Sequence, residues 1–215
     1  MALLRNAADQ DHFDAARKAL ADADPVLSAC IEAIGPCRLA PAPDPFVALV
    51  EAIISQQLSV KAADTIFDRL ASLCPRGPIT PKGIFSTPDA ALRRVGLSRQ
   101  KISYMKDLAG RWIAGEIRPK TFHLLPDEEV IARLVEVKGI GRWTAEMFLI
   151  FALNRPDVLP VDDLGLKKAV RQAYRLRKLP SPERIQKIAK PWRPYRSIAT
   201  WYLWKSLNNG PKHPV

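Results

Sequence analysis

Cysteine, histidine and glycine are scarce in this chain of 215 residues: three, three and ten. Cys30, Cys37 and Cys74 are too few and too irregularly spaced for a disulfide framework, which points to a reducing compartment. Three thiols also fall short of the four that hold an iron–sulfur cluster. His12, His123 and His213 are scattered, with no zinc-ligand spacing. Long apolar runs are missing as well. The longest, Met147 to Leu153, is far below the roughly 20 residues that span a bilayer. The first ten residues, MALLRNAADQ, run on into polar sequence, which argues against a signal peptide. A soluble intracellular protein is expected, cytoplasmic (nucleoid-associated in a bacterium, nuclear in a eukaryote).

Hydrophobic residues make up 47% and charged residues 26%, enough for a sizeable core and against disorder as the main state. The length suits one or two domains. The formal charge is +11, which favours an anionic partner: nucleic acid, an acidic membrane or an acidic protein. Its location is more informative. Residues 164–215 hold 13 basic residues and a single acid, Glu183, so the basic excess sits in the last quarter of the chain. That quarter also carries Tyr174, Trp192, Tyr195, Trp201, Tyr202 and Trp204, more aromatics than a solvated basic tail would hold.

The patterning is helical nearly throughout, without alternating strands or an internal repeat. Helices are expected over 11–21, from Asp24-Pro25 to Ile34, over 46–54, 60–73, 88–95, 99–115, 127–136 and 142–154. RLAPAPDP (38–45) is a proline-rich connector, and CPRGPITP (74–81) reads as a loop. The expected class is all-α with about ten helices.

The most specific local signal is Val137-Lys138-Gly139-Ile140-Gly141 between two helical segments. Two glycines one residue apart allow a tight reversal through positive φ. They also leave N–H groups uncovered at the start of the second helix, which suits a phosphate. On the glycines alone, an ordinary αα-hairpin explains the turn equally well. Gly139-Ile140-Gly141-Arg142-Trp143-Thr144-Ala145 leads into an apolar helix. About twenty residues later comes Val161-Asp162-Asp163-Leu164-Gly165-Leu166-Lys167-Lys168.

This arrangement resembles the helix-hairpin-helix DNA glycosylase superfamily, and most closely its 3-methyladenine DNA glycosylase II (AlkA/Mag) branch. The resemblance runs from Phe46-Val47 through IISQQLSVKAA (53–63), the hairpin and VDDLGLKK to KPWRPYRSIATWYLW (190–204). It implies two helical lobes with a cleft between them: residues 43–162, containing the hairpin, and 1–42 with 163–215. It also implies a monomer that acts on double-stranded DNA carrying alkylated bases, with no membrane association. Too few residues precede Phe46 for the extra N-terminal β domain of AlkA itself, so the compact Mag-type form is expected.

Breaking an N-glycosidic bond passes through an oxocarbenium-like sugar, and a nearby carboxylate stabilises that charge or orients the attacking water. Asp163 fits the family's D-x-x-x-K, with Lys167 at the right offset; Asp162 does not. From the residues alone, either aspartate also reads as a helix N-cap, a role compatible with catalysis. Bifunctional relatives carry a lysine where this chain has Trp143. The resemblance therefore implies a monofunctional hydrolase, and the cysteine count excludes the iron–sulfur relatives.

The excised base must leave the stack and enter a pocket. Cationic 3-methyladenine and 7-methylguanine suit an aromatic one, by cation–π contacts worth about 0.5–2 kcal/mol. By resemblance the pocket draws on Trp143, Trp201 and Phe46. Met147 and Leu164 stand where the enterobacterial pattern has tyrosines. Trp201 also reads as a core residue. The Gln56-Gln57-Leu58-Ser59 interruption matches the segment that fills the vacated space, with Gln57 or Leu58 as the wedge; it also reads as a helix junction. The resemblance also implies that the hairpin binds DNA through Lys138, Gly139, Ile140, Gly141, Arg142 and Thr144. No catalytic cofactor is implied. A structural Na+ or similar cation is, on the main-chain carbonyls of Val135, Val137 and Ile140. Further phosphate contacts fall among Lys167, Lys168, Arg171, Arg193 and Arg196. Three competing readings remain: a non-catalytic helix-hairpin-helix DNA-binding module, a glycosylase/lyase for oxidised bases, and a basic membrane-surface protein.

Overall fold

The computed structural model describes residues 7–73 and 77–209, so Cys74, His213 and residues 74–76 of the expected loop lie outside the described residues. Among the described residues the chain is helical without strands. In order come α1 (Ala7–Ala23), α2 (Pro25–Ile34), α3 (Pro45–Ser55), α4 (Val60–Ser72), α5 (Pro81–Ser86), α6 (Asp89–Arg94) and α7 (Arg99–Ala114). Then follow α8 (Pro119–Phe122), α9 (Asp127–Val135), α10 (Arg142–Phe151), α11 (Leu164–Ala173), α12 (Pro182–Ile188), a 3-10 turn (Lys190–Trp192) and α13 (Arg196–Asn209). Polar caps set many of the starts. Asp24, Asp44, Ser59, Thr80, Ser98 and Ser181 each accept a hydrogen bond from an N–H of the following turn. Proline occupies the opening turn of α2, α3, α5 and α12, where no N–H is needed.

Two compact units emerge: Pro41–Leu153, and the flanking segments that end at Ala40 and begin at Asn154. The second boundary falls earlier than the expected 162. The reason lies in residues 154–162 themselves. Val158 N–H donates to the Ser197 hydroxyl, and Ser197 N–H donates to the Pro156 carbonyl. The Arg196 guanidinium grips both carboxylate oxygens of Asp157, so the segment is stitched to α13.

In Pro41–Leu153, α7 buries Ile102, Met105, Leu108 and Ala109, and α3 buries Phe46, Leu49, Val50, Ile53 and Ile54. Phe46 meets Trp112 edge to face, with ring centres 5.1 Å apart. The opposite face of α7 is polar, and it turns out to brace the turns described below.

The other unit is organised around α13, which contacts α2 and α11. Ile198, Ala199, Trp201, Tyr202 and Leu203 are all buried, and so are Ser197 and Thr200. With no exposed stripe over these turns, the segment lacks the periodicity that announces a helix. Asp24, buried between helices, collects four donors. Val26 and Leu27 N–H cap α2 on one carboxylate oxygen, while the Tyr174 hydroxyl and Trp192 indole N–H share the other. Burial and the Asp24 charge push the Tyr174 phenol well above its ordinary range. Asp24→Ala removes the cap and strands two buried donors, so a stability loss of about 3 kcal/mol is expected in urea unfolding.

Candidate functional site

The glycine turn is built by one glycine, not two. Gly139 has φ +79°, and a Cβ placed there would lie 2.0 Å from the Tyr104 ring. Gly141 has ordinary extended backbone, φ −92°, with nothing within 4 Å of a Cβ. Its role is different: it sits at the N-cap of α10 and supplies no side-chain cap, leaving that position to other acceptors. The Ile140 N–H donates to the Val137 carbonyl and closes the turn.

The polar face of α7 backs this turn. Tyr104 lies against Gly139, and Asp107 accepts the Lys138 N–H at 3.0 Å. Arg111 ties Asp107 to Glu136, just beyond the end of α9. From the other side, the Gln56 amide donates to the Gly139 carbonyl at 2.8 Å. Lys138 projects its side chain to solvent. Arg142 is exposed but engaged: its guanidinium holds both Glu128 oxygens and one oxygen of Glu146. The bidentate contact keeps the Glu128 carboxyl below the usual carboxylate range. The hydroxyl of Thr144 does not join the exposed hairpin surface, because Thr144 is 6% exposed and faces a cavity.

The break between α3 and α4 is a braced projection. The Lys101 ammonium donates to the Ile54 and Gln56 carbonyls at 2.6 and 2.8 Å, covering the negative end of α3. Desolvation in that position lowers the Lys101 pKa. With Gln56 turned to the hairpin, Gln57 takes up left-handed backbone at φ 57° and stays exposed. Leu58 is 40% exposed beside it. A non-glycine residue in that region carries strain of order 1 kcal/mol, held here by its braced neighbours.

Asp163 is the N-cap of α11. Its Oδ1 accepts the Leu166 N–H and also the Trp204 indole N–H at 2.8 Å. Gly165 makes the second bond feasible: a Cβ there would lie 3.0 Å from that carboxylate oxygen and 3.2 Å from the indole nitrogen. Lys167, which the D-x-x-x-K spacing assigns to Asp163, instead pairs its ammonium with Asp162 at 3.2 Å.

The remaining candidates are spread over both units. Trp143 is 48% exposed on the first turn of α10, with Met147 one turn further on. Leu164 is exposed at the start of α11. Trp201 is almost wholly buried, edge-on to Tyr202 with the Lys205 ammonium 5.6 Å from its ring. Phe46 is 1% exposed against Trp112, which gives it to the core and leaves it no surface for a base. Of the expected phosphate contacts, Arg193 and Arg196 pair with Asp157 and Lys167 with Asp162. Lys168 and Arg171 form no ion pair among the described residues and lie exposed on α11. No three His, Cys, Asp or Glu side chains gather as a metal site among the described residues.

Sequence reasoning missed Trp204, Tyr104, Asp107 and Lys101. Trp204 lies three residues after Trp201, a helical spacing that was readable. The α7 residues recur at 101, 104, 107 and 111, which reads equally as a solvated helix face.

The HhH-GPD superfamily of base excision DNA repair proteins matches residues 50–194. DNA-3-methyladenine glycosylase 1 of Schizosaccharomyces pombe is 42% identical over 76% of this chain and 72% of its own length. Alkylbase DNA glycosidase-like protein mag2 of the same yeast is 34% identical over 90% of this chain and 93% of its own. The solved structure of S. pombe 3-methyladenine DNA glycosylase (Mag1) in complex with abasic DNA superposes with a TM-score of 0.82. It is 37% identical and covers 93% of this chain and 99% of the solved one.

Gly139→Ala forces both a strained φ and a collision with Tyr104. The expected loss is on the order of 3 kcal/mol in denaturant unfolding, partly recovered in Gly139→Ala/Tyr104→Ala, where the strain persists but the collision does not.

Proposed function

This chain belongs to the HhH-GPD superfamily of base excision DNA repair proteins, and from that membership we propose a monofunctional DNA glycosylase that hydrolyses alkylated purines, 3-methyladenine and 7-methylguanine, out of double-stranded DNA. The observation that carries the proposal is the fixed carboxylate of Asp163, held on one oxygen by the Leu166 N–H and the Trp204 indole.

In this reading Asp163 stabilises the positive charge that develops on the sugar and orients a water towards it. Two donors on one oxygen hold the carboxylate plane. The damaged nucleotide swings out, and Gln57 or Leu58 fills the space it leaves. The projection of Gln57 from a braced turn supports that role. Trp143, Met147, Leu164 and Trp201 contact the flipped base. Trp143 at the position of the lyase lysine supports water as the nucleophile.

The hairpin N–H groups, Lys138, Lys168 and Arg171 meet phosphates. Arg142 orders the start of α10 through Glu128 and Glu146, and contacts DNA only by giving up a partner. The main-chain carbonyls of Val135, Val137 and Ile140, beyond the negative end of α9, would hold a monovalent cation such as Na+, which would supply positive charge for a DNA phosphate and no catalytic chemistry. The protein works as a monomer.

Incubation with methylated genomic DNA, followed by chromatography of the released bases, tests the proposal: free 3-methyladenine and 7-methylguanine are expected, and no borohydride-trapped covalent complex. Asp163→Asn is expected to lower excision on the order of 10²-fold or more while duplex binding persists. A non-catalytic DNA-binding module would release no base from the wild type. Trp204→Phe is expected to lower kcat about tenfold with KM nearly unchanged, as loss of one charge-assisted hydrogen bond implies.

A further inference from the structure

Ser55, Gln56, Gln57 and Leu58 form a four-residue turn between α3 and α4, closed by the Leu58 N–H donating to the Ser55 carbonyl at 3.1 Å. Gln56 has φ −53° and ψ 125°, close to the roughly −60° and +120° of a type II turn. The next position of such a turn needs positive φ and is usually glycine, because a Cβ is crowded there. This chain places a glutamine at it, with φ 57°. A type I turn would relieve the strain. It differs by reversal of one peptide, here Gln56–Gln57, and puts its third residue at negative φ. The less favourable orientation of that peptide therefore needs a hold from outside the turn.

Lys101 supplies the hold. Its ammonium donates to the Gln56 carbonyl, the oxygen of that peptide, at 2.8 Å, and to the Ile54 carbonyl at 2.6 Å. Reversing the peptide would carry the Gln56 carbonyl away and forfeit a charge-assisted bond. The placement serves the turn and not α7. Lys101 lies in the first turn of α7, where a positive charge opposes the helix dipole. Lys106, on the same helix, shows the ordinary alternative. It covers the Phe85 and Thr87 carbonyls at the end of α5, where Thr87 has an unstrained φ of −66°. The Gln56 side chain is anchored as well, on the Gly139 carbonyl of the hairpin. The residue before Gln57 is thus held at main chain and side chain, and every partner lies within Pro41–Leu153.

We propose that Lys101 is a positioning residue: by holding the Gln56 carbonyl it keeps the turn in the form that projects Gln57 and Leu58, and so prepares the wedge before DNA arrives. The proposal rests on the wedge reading of Gln57 or Leu58 and adds the group that aims them. A segment ordered in advance loses less freedom when it enters a duplex.

The test compares the wild type with Lys101→Met, Lys101→Arg, Lys106→Met, Gln57→Ala and Leu58→Ala, each checked by thermal melting. The probe is a duplex carrying 2-aminopurine beside a tetrahydrofuran abasic site, whose fluorescence reports unstacking when a side chain enters the gap. Affinity for that duplex, and kcat and KM for release of 7-methylguanine, are measured alongside. A crystal structure of Lys101→Met gives the turn. Lys101→Met is expected to show Gln57 at negative φ and to lose most of the fluorescence response. Its kcat is expected to fall about tenfold with KM nearly unchanged, because base flipping follows duplex binding. Lys101→Arg restores most of both, and Lys106→Met changes neither. A Lys101→Met structure that keeps Gln57 at positive φ overturns the proposal. So does a full response in Lys101→Met where Gln57→Ala or Leu58→Ala loses it, and so does an equal loss in Lys106→Met, which would mark a general weakening of α7. A response that survives both Gln57→Ala and Leu58→Ala overturns the wedge reading instead, while an inverted turn in Lys101→Met still upholds the hold of Lys101 on it.

Discussion

The contact between Gly139 and the Tyr104 ring constrains the whole hairpin. A backbone that lies this close to an aromatic face has one approach and one φ region available to it. Asp107 then fixes the next peptide by its N–H, and Gln56 fixes the carbonyl of Gly139 itself. The turn is therefore set by α7 and by the end of α3 more than by its own sequence. Because Lys101 of α7 also closes α3, a single helix face positions both the glycine turn and the Gln57 projection. In a family that acts on DNA, that common support keeps the two features in register.

The acid at Asp163 shows a second use of the same economy. The cap that starts α11 and the proposed catalytic carboxylate are one side chain, so the helix cannot form properly without orienting the group. Trp204 adds a bond from α13, and Gly165 clears the space between them. The neighbouring acid, Asp162, takes Lys167 away from Asp163 and leaves its Oδ1 to neutral donors.

Much of this was legible in the sequence. Helical patterning located most of the helices before α10, with Asp24-Pro25 marking the start of one, and the glycine pair located the hairpin. What stayed hidden has physical reasons. The α13 segment has no polar stripe over its buried turns, so it carries no helical period. Gly141 looks equivalent to Gly139 in a string of letters, and only φ and the Tyr104 ring separate them. The engagement of Arg142, Arg193 and Arg196 by Glu128 and Asp157 depends on partners 14 to 39 residues away, which a count of charges does not reveal. Thr144 and Phe46 read as surface contacts because they flank the right motifs, whereas packing turned both inward.

Those arginine–carboxylate pairs bear on how the protein meets undamaged duplex. Each pre-formed pair withholds a guanidinium that would otherwise displace condensed ions from the backbone. The basic residues open to a phosphate are correspondingly fewer than the 33 lysines and arginines of the sequence. Each of these arginines has to leave its carboxylate before it can meet a phosphate, so that exchange weakens whatever contact it makes.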